Sequence, residues 1–150
     1  MTEVLFYHLE RQPLERVLPI LVEKSLERGW RAAIRTGKTE RVRDLDEMLW
    51  TYAETSFLPH SNENDSELDQ EPALITTSDQ FANAPHVIFL VERAGFPESL
   101  NAFERVVYMF DGRDDDALTE ARTMWKEIRG QGLESTYWQQ DENGRWQKKA

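Results

Sequence analysis

Val87-Ile88-Phe89-Leu90-Val91 is an unbroken apolar run, and Arg105-Val106-Val107-Tyr108-Met109-Phe110 is nearly another. A strand with one wet face alternates polar and apolar residues; a strand apolar at successive positions needs cover on both faces. That requirement limits the fold to architectures that sandwich a sheet between other layers. The opening of the chain supplies such layers. Val4 to Leu9 reads as a short strand. Pro13 opens a helix carrying Leu14, Val17, Leu18, Leu21, Val22 and Leu26 on one face, and Gly29 stops it. Pro19 falls inside this pattern and either kinks the helix or moves its regular start towards Leu18. Trp30 to Arg35 reads as a second strand, and a second helix follows from near Thr39. A β-α-β-α opening argues for parallel strands joined by right-handed crossovers.

Further along, Ser61 to Glu71 is polar and acidic and reads as a loop, and Pro72 to Thr76 resumes a short strand. A helix is expected from about Ala117 to Arg129, ended by Gly130 and Gly132. Glu134 to Gln140 and Arg145 to Lys149 flank Asn143-Gly144, a strong hairpin signal. No repeat or composition break marks a second domain. The expected fold is therefore α/β: a single three-layer Rossmann-like domain over residues 1–150, with a mainly parallel sheet, helices on both faces and a C-terminal β-hairpin.

Charge narrows the function. The net charge is −10, which opposes general binding to nucleic acid because phosphates are repelled over most of the surface. Residues 121–150 nevertheless hold 6 Lys+Arg against 4 Asp+Glu, so an acidic protein carries a basic end. With no cysteine, disulfides and thiolate metal sites are excluded, and the chain suits a reducing cytoplasm. No apolar stretch is long enough to span a bilayer, and no basic leader precedes an apolar run.

Several motifs resemble chemistry without completing it. Thr36-Gly37-Lys38-Thr39 sits between a strand and a helix, the setting of a phosphate-binding loop. The position that should hold the first glycine is Ala32, and too few residues are left to wrap a triphosphate. A plain strand-to-helix turn is the favoured reading, with a small nucleotide-binding enzyme as the rival. Asp111, Asp114, Asp115 and Asp116 are better placed to cap the following helix than to bind magnesium. His8 reads as a structural histidine in a strand; His60, beside Pro59 at a loop entrance, is the one functional candidate among the three histidines. No catalytic triad order or histidine metal spacing is present. No catalytic residue, metal or cofactor is expected.

Two places look like binding surfaces. In the last helix, Leu118, Ala121, Trp125 and Ile128 form an apolar stripe, and Arg122, Lys126 and Arg129 form a basic stripe beside it. Trp125 at the seam is either a core tryptophan with a solvated cationic edge or the floor of a shallow pocket. Such a pocket would suit a peptide whose end is hydrophobic and anionic. In the second helix, Val42, Leu45, Leu49 and Tyr52 form the buried stripe, and Trp50 points about 130° away from it. Either another element covers Trp50, or Trp50 and the nearby Phe57 form an exposed patch for a protein partner.

These residues also carry a family resemblance. Leu45-Asp46-x-x-Leu49-Trp50, then Ser56-Phe57-x-Pro59-His60, resembles the signature of the chi subunit of bacterial DNA polymerase III. Phe6-Tyr7-His8-Leu9, Gly29-Trp30-Arg31 and Ala121-Arg122-x-x-Trp125-Lys126 fit the same family. The resemblance implies a non-catalytic accessory subunit that binds the acidic, phenylalanine-terminated tail of single-stranded DNA-binding protein. It assigns the tail to Arg122, Trp125 and Lys126, with DNA contacted only indirectly. It assigns Trp50 and Phe57 to the surface that meets the psi subunit, on the clamp-loader side, or a competing helicase-like partner. Trp125 stands where better-known members carry Tyr, and both offer a flat apolar face. The Trp138 to Trp146 hairpin is longer than in those members, which leaves the far wall of the pocket open, with Arg145 and Lys148 as candidates.

Overall fold

The alternation of buried faces along the central strands sets the architecture. In the computed structural model, residues 2–10, 12–51, 61–62, 73–77, 81, 83–97 and 99–149 are described. The elements run β1 (Glu3–Leu9), α1 (Leu14–Glu27), β2 (Ala32–Thr36), α2 (Thr39–Thr51), β3 (Ser61–Asn62), β4 (Ala73–Thr76), β5 (Val87–Val91), β6 (Arg105–Asp111), α3 (Asp115–Gly130), β7 (Glu134–Gln140) and β8 (Trp146–Lys148). They form an eight-stranded sheet in the order β3-β4-β2-β5-β6-β1-β7-β8. Every pairing is parallel except the β7–β8 hairpin. The three-layer α/β expectation therefore holds.

Successive residues of β5 and β6 explain the apolar runs. Val87, Phe89, Val91, Val107 and Met109 pack with the buried faces of α1 and α2. Ile88, Leu90, Val106, Tyr108 and Phe110 pack with Ala117, Ala121 and Ile128 of α3 on the opposite face. Alternation persists, but both sides are dry. Along β1, Tyr7 and Leu9 face α1, whereas Val4 and Phe6 face α3.

Two local expectations change. α1 is continuous from Leu14 to Glu27 across buried Pro19, so its regular part does not wait until Leu18. Pro13 stands at its N-cap rather than inside its first turn. Ser61 and Asn62, expected in a loop, pair in parallel with Leu74 and Ile75 as a two-residue edge strand. The rest of the expected 61–71 loop lies outside the described residues.

Asp114 caps α3, its carboxylate accepting from the Asp116 and Ala117 backbone N–H groups at 3.0 and 3.3 Å. Acids in the first turn and Arg129 in the last also suit the helix dipole. The capping reading thus holds for Asp114, with Asp115 and Asp116 in the first turn, but not for Asp111, which ends β6 and accepts from the Arg113 N–H at 2.9 Å. At the hairpin, Gly144 adopts φ 78°, and the Asp141 N–H donates to the Arg145 carbonyl at 2.8 Å. β1 and β6 are neighbours, yet the chain leaves them through helices on opposite faces. This topological switch point is where doubly wound folds open a crevice at their strand ends.

Candidate functional site

α3 crosses the β1–β7 side of the sheet with an apolar underside and a charged edge. Ala121 and Ile128 are buried, Leu118 and Trp125 are partly buried, and Arg122, Lys126 and Arg129 are exposed. The expected stripes thus take opposite roles, one against the sheet and one in solvent. Trp125 occupies the seam. Its ring meets Phe6 of β1 at 5.3 Å and Tyr137 of β7 at 5.7 Å, both nearly edge to face, at 84° and 89°. The Arg129 guanidinium carbon lies 5.4 Å from the Trp125 ring centre. A half-covered indole flanked by cations provides both an apolar face and positive charge.

The wall next to Trp125 is Tyr137, which the sequence did not single out. Its hydroxyl lies 2.7 Å from His8 Nδ1. Burial raises the Tyr137 phenol above its ordinary value, while the positive charge of Arg122 draws it back down. Burial likewise lowers His8; Arg122 adds to that lowering, against Glu10 and Asp111. Arg122 thus acts electrostatically on both members of the pair. Only 8% of His8 is exposed, and its Nε2 is buried without a hydrogen-bond partner. The ring is shut in by Gly112: a Cβ there would lie 1.8 Å from Nε2. His8 is thus buried in its strand but satisfied at one nitrogen only, short of the fully satisfied ring that was expected.

The remaining predicted residues separate. Lys148 pairs with Trp138, whose ring stacks on Tyr7 on the α1 face, so Lys148 stands on the side of the sheet away from α3. It does not build the far wall of a pocket over Trp125. Arg145 is exposed in the hairpin turn. Trp50 lies in the last turn of α2, but its side chain, with Phe57 and His60, lies outside the described residues. Val42, Leu45 and Leu49 are buried as the second helix's stripe requires.

Lys38 lines the crevice at the switch point, a cavity of about 350 Å³ bounded also by Pro13, Glu15, Glu92, Asp111 and Arg113. Gly37 has a packing reason for its identity: a Cβ there would come 2.9 Å from the Glu92 carbonyl oxygen. Acidic side chains share the lining with the basic ones, which weakens any preference for a phosphate. Among the described residues, no group of three or more His, Asp or Glu side chains is arranged to hold a metal ion. No described helix is long and apolar enough to cross a membrane.

Together, the sheet order and the aromatic, cationic edge of α3 define a doubly wound α/β protein with a candidate recognition surface on one helix. The sequence profile of the family described as DNA polymerase III chi subunit, HolC, matches residues 1–136, and the chain belongs to that family. It is also similar to a probable DNA polymerase III subunit chi from Rickettsia prowazekii (strain Madrid E). The two are 23% identical over 156 residues, an alignment covering 100% of this chain and 93% of the relative.

Proposed function

We propose that this chain is a non-catalytic accessory subunit linking the replicative polymerase assembly to single-stranded DNA-binding protein, in the cytoplasm. Arg122, Trp125 and Lys126 hold that protein's acidic C-terminal tail. The supporting observation is the seam at Trp125: one indole face in an aromatic setting, with exposed cations at Arg122, Lys126 and Arg129 on the same helix. The tail's terminal phenylalanine lies against the indole, and its carboxylates pair with Arg122 and Lys126. DNA is reached only through the partner, in keeping with the net charge of −10.

Trp50 and Phe57 form the second surface, which docks to psi or another clamp-loader or helicase-like partner. α2 and α3 lie on opposite faces of the sheet, which supports a reading with separate surfaces for the two partners.

Calorimetric titration with a tail peptide tests the first surface. Arg122→Ala or Lys126→Ala is expected to cost about 1–3 kcal/mol of binding energy. Unchanged affinity in folded variants would refute the assignment. Saturable ATP binding abolished by Lys38→Ala would instead support a nucleotide-binding protein at the switch-point crevice.

A further inference from the structure

We propose that Tyr137 is a specificity-determining residue of the tail site: its hydroxyl donates a hydrogen bond to the peptide carboxylate held by Arg122, and His8 positions it. This rests on the tail-binding reading above and adds residues to which that reading gives no role. Tyr137 lies just past the segment matched by the family profile, which ends at residue 136.

At 2.7 Å, the His8 Nδ1 and Tyr137 oxygen hold one hydrogen bond, and either atom can be its donor. If the hydroxyl donates to Nδ1, the imidazole proton sits on Nε2, which is buried with no partner. If Nδ1–H donates, Nε2 is left as a lone pair, and the phenol proton is free to point elsewhere. An anion beside Arg122 favours the second arrangement, because it accepts the phenol proton in a charge-assisted bond. His8 then acts as a neutral donor behind a tyrosine donor, with both rings already held in position by their neighbours. The two arrangements hold the same number of protons and differ only in the tautomer of His8.

The surroundings hold the pair in place. The Tyr137 ring lies 6.0 Å from Phe110 and 5.7 Å from Trp125, and the His8 ring lies 5.1 Å from Phe110. Phe6 and His8 face the same side of β1, opposite Tyr137 and Gln139 of β7 in register. Gln139 also donates to Glu10 at 3.1 Å, which engages the nearby carboxylate. The apolar face of Trp125 and the polar tip of Tyr137 are thus adjacent. They match a ligand that ends in an aromatic side chain and a carboxylate on the same residue.

The test uses two versions of the tail peptide, one with its free C-terminal carboxylate and one ending in an amide. Binding to the full chain is measured by calorimetry, with circular dichroism as the check on folding. Tyr137→Phe keeps the ring against Trp125 and removes the donor. We expect it to weaken the free-acid peptide by about tenfold and leave the amide peptide unchanged. His8→Phe should produce a similar selective loss, and His8→Gln, which can still donate from its amide, should restore most of it. Equal weakening of both peptides by Tyr137→Phe would reduce Tyr137 to a packing wall and overturn the proposal. So would a Tyr137→Phe variant within twofold of the parent while Arg122→Ala loses binding, and tail binding itself would then still stand. A parent protein that binds neither peptide would overturn both readings.

Discussion

Gly112 should be among the least replaceable small residues in the chain, for a reason that has nothing to do with its own backbone. Its φ is not in the left-handed region, so alanine is allowed conformationally. The obstacle is His8. A Cβ at position 112 would come 1.8 Å from His8 Nε2 and 2.0 Å from Cδ2, far inside contact distance. The ring cannot retreat easily, since Phe110 and Tyr137 flank it and its other nitrogen is hydrogen-bonded. Overpacking of this kind costs about 1–3 kcal/mol. Displacing the ring also breaks the bond to Tyr137, about 1 kcal/mol more. Gly112→Ala is therefore expected to lose about 2–4 kcal/mol of stability, or about 5–15 °C in Tm for a chain of this size. Urea unfolding followed by tryptophan fluorescence measures it. The mechanism is tested by adding His8→Ala. Removing the ring makes room for the new methyl, so the double variant should be destabilised by clearly less than the sum of the two single changes. A cost below about 0.5 kcal/mol for Gly112→Ala, or strict additivity with His8→Ala, would refute the steric reasoning.

Other consequences follow from single contacts. Asp114→Ala removes the acceptor for two backbone N–H groups at the start of α3 and should cost about 0.5–2 kcal/mol in thermal or urea unfolding, whereas Asp114→Asn should cost less. His8 also predicts a pH dependence. Its folded-state value is lowered, chiefly by burial, so the unfolded chain binds the proton more readily. The contribution is intact above the unfolded imidazole value of about 6.5 and is lost progressively as pH falls below it. The urea midpoint of the parent should drop as pH is lowered from about 7 to 5. His8→Gln should flatten that drop, and an unchanged slope would remove His8 from the account.

How much of this was legible in the sequence depends on the range of the interaction. The helix stripes were visible because they are periodic, and Val42, Leu45, Leu49, Ala121 and Ile128 are buried where the period puts them. The two-sided burial of β5 and β6 was visible because polar residues are missing from both parities. The Asp114 cap is a local contact and was readable for that reason. Tyr137 and His8 were not legible as a pair, since they stand 129 residues apart and meet only because β7 returns beside β1. The same blindness affected Lys148. Its charge suggested the tail site, but strand alternation and the β7–β8 register turn it to the opposite face of the sheet. A signal was available in principle: Trp138 and Tyr137 are adjacent in a strand, so they had to face opposite ways.

The placement of α2 and α3 on opposite faces makes one last prediction, about independence. An adaptor is useful only if holding one partner does not expel the other. Coupling between two sites requires some element with alternative arrangements that both can bias. Between these helices lies the sheet whose buried side chains form the two cores, with Ala33, Ile88 and Val106 on one side and Ile34, Phe89 and Val107 on the other. A close-packed layer of this kind resists gradual deformation. On the proposed assignment, Trp50→Ala should weaken binding of a clamp-loader-side partner and leave the tail affinity within about twofold, and Arg122→Ala should do the reverse. A double-mutant cycle on tail binding should give a coupling energy within about 0.5 kcal/mol of zero. Substantial coupling in well-folded variants would mean that the two surfaces are not separate, and the adaptor would then act as a switch between partners rather than a bridge.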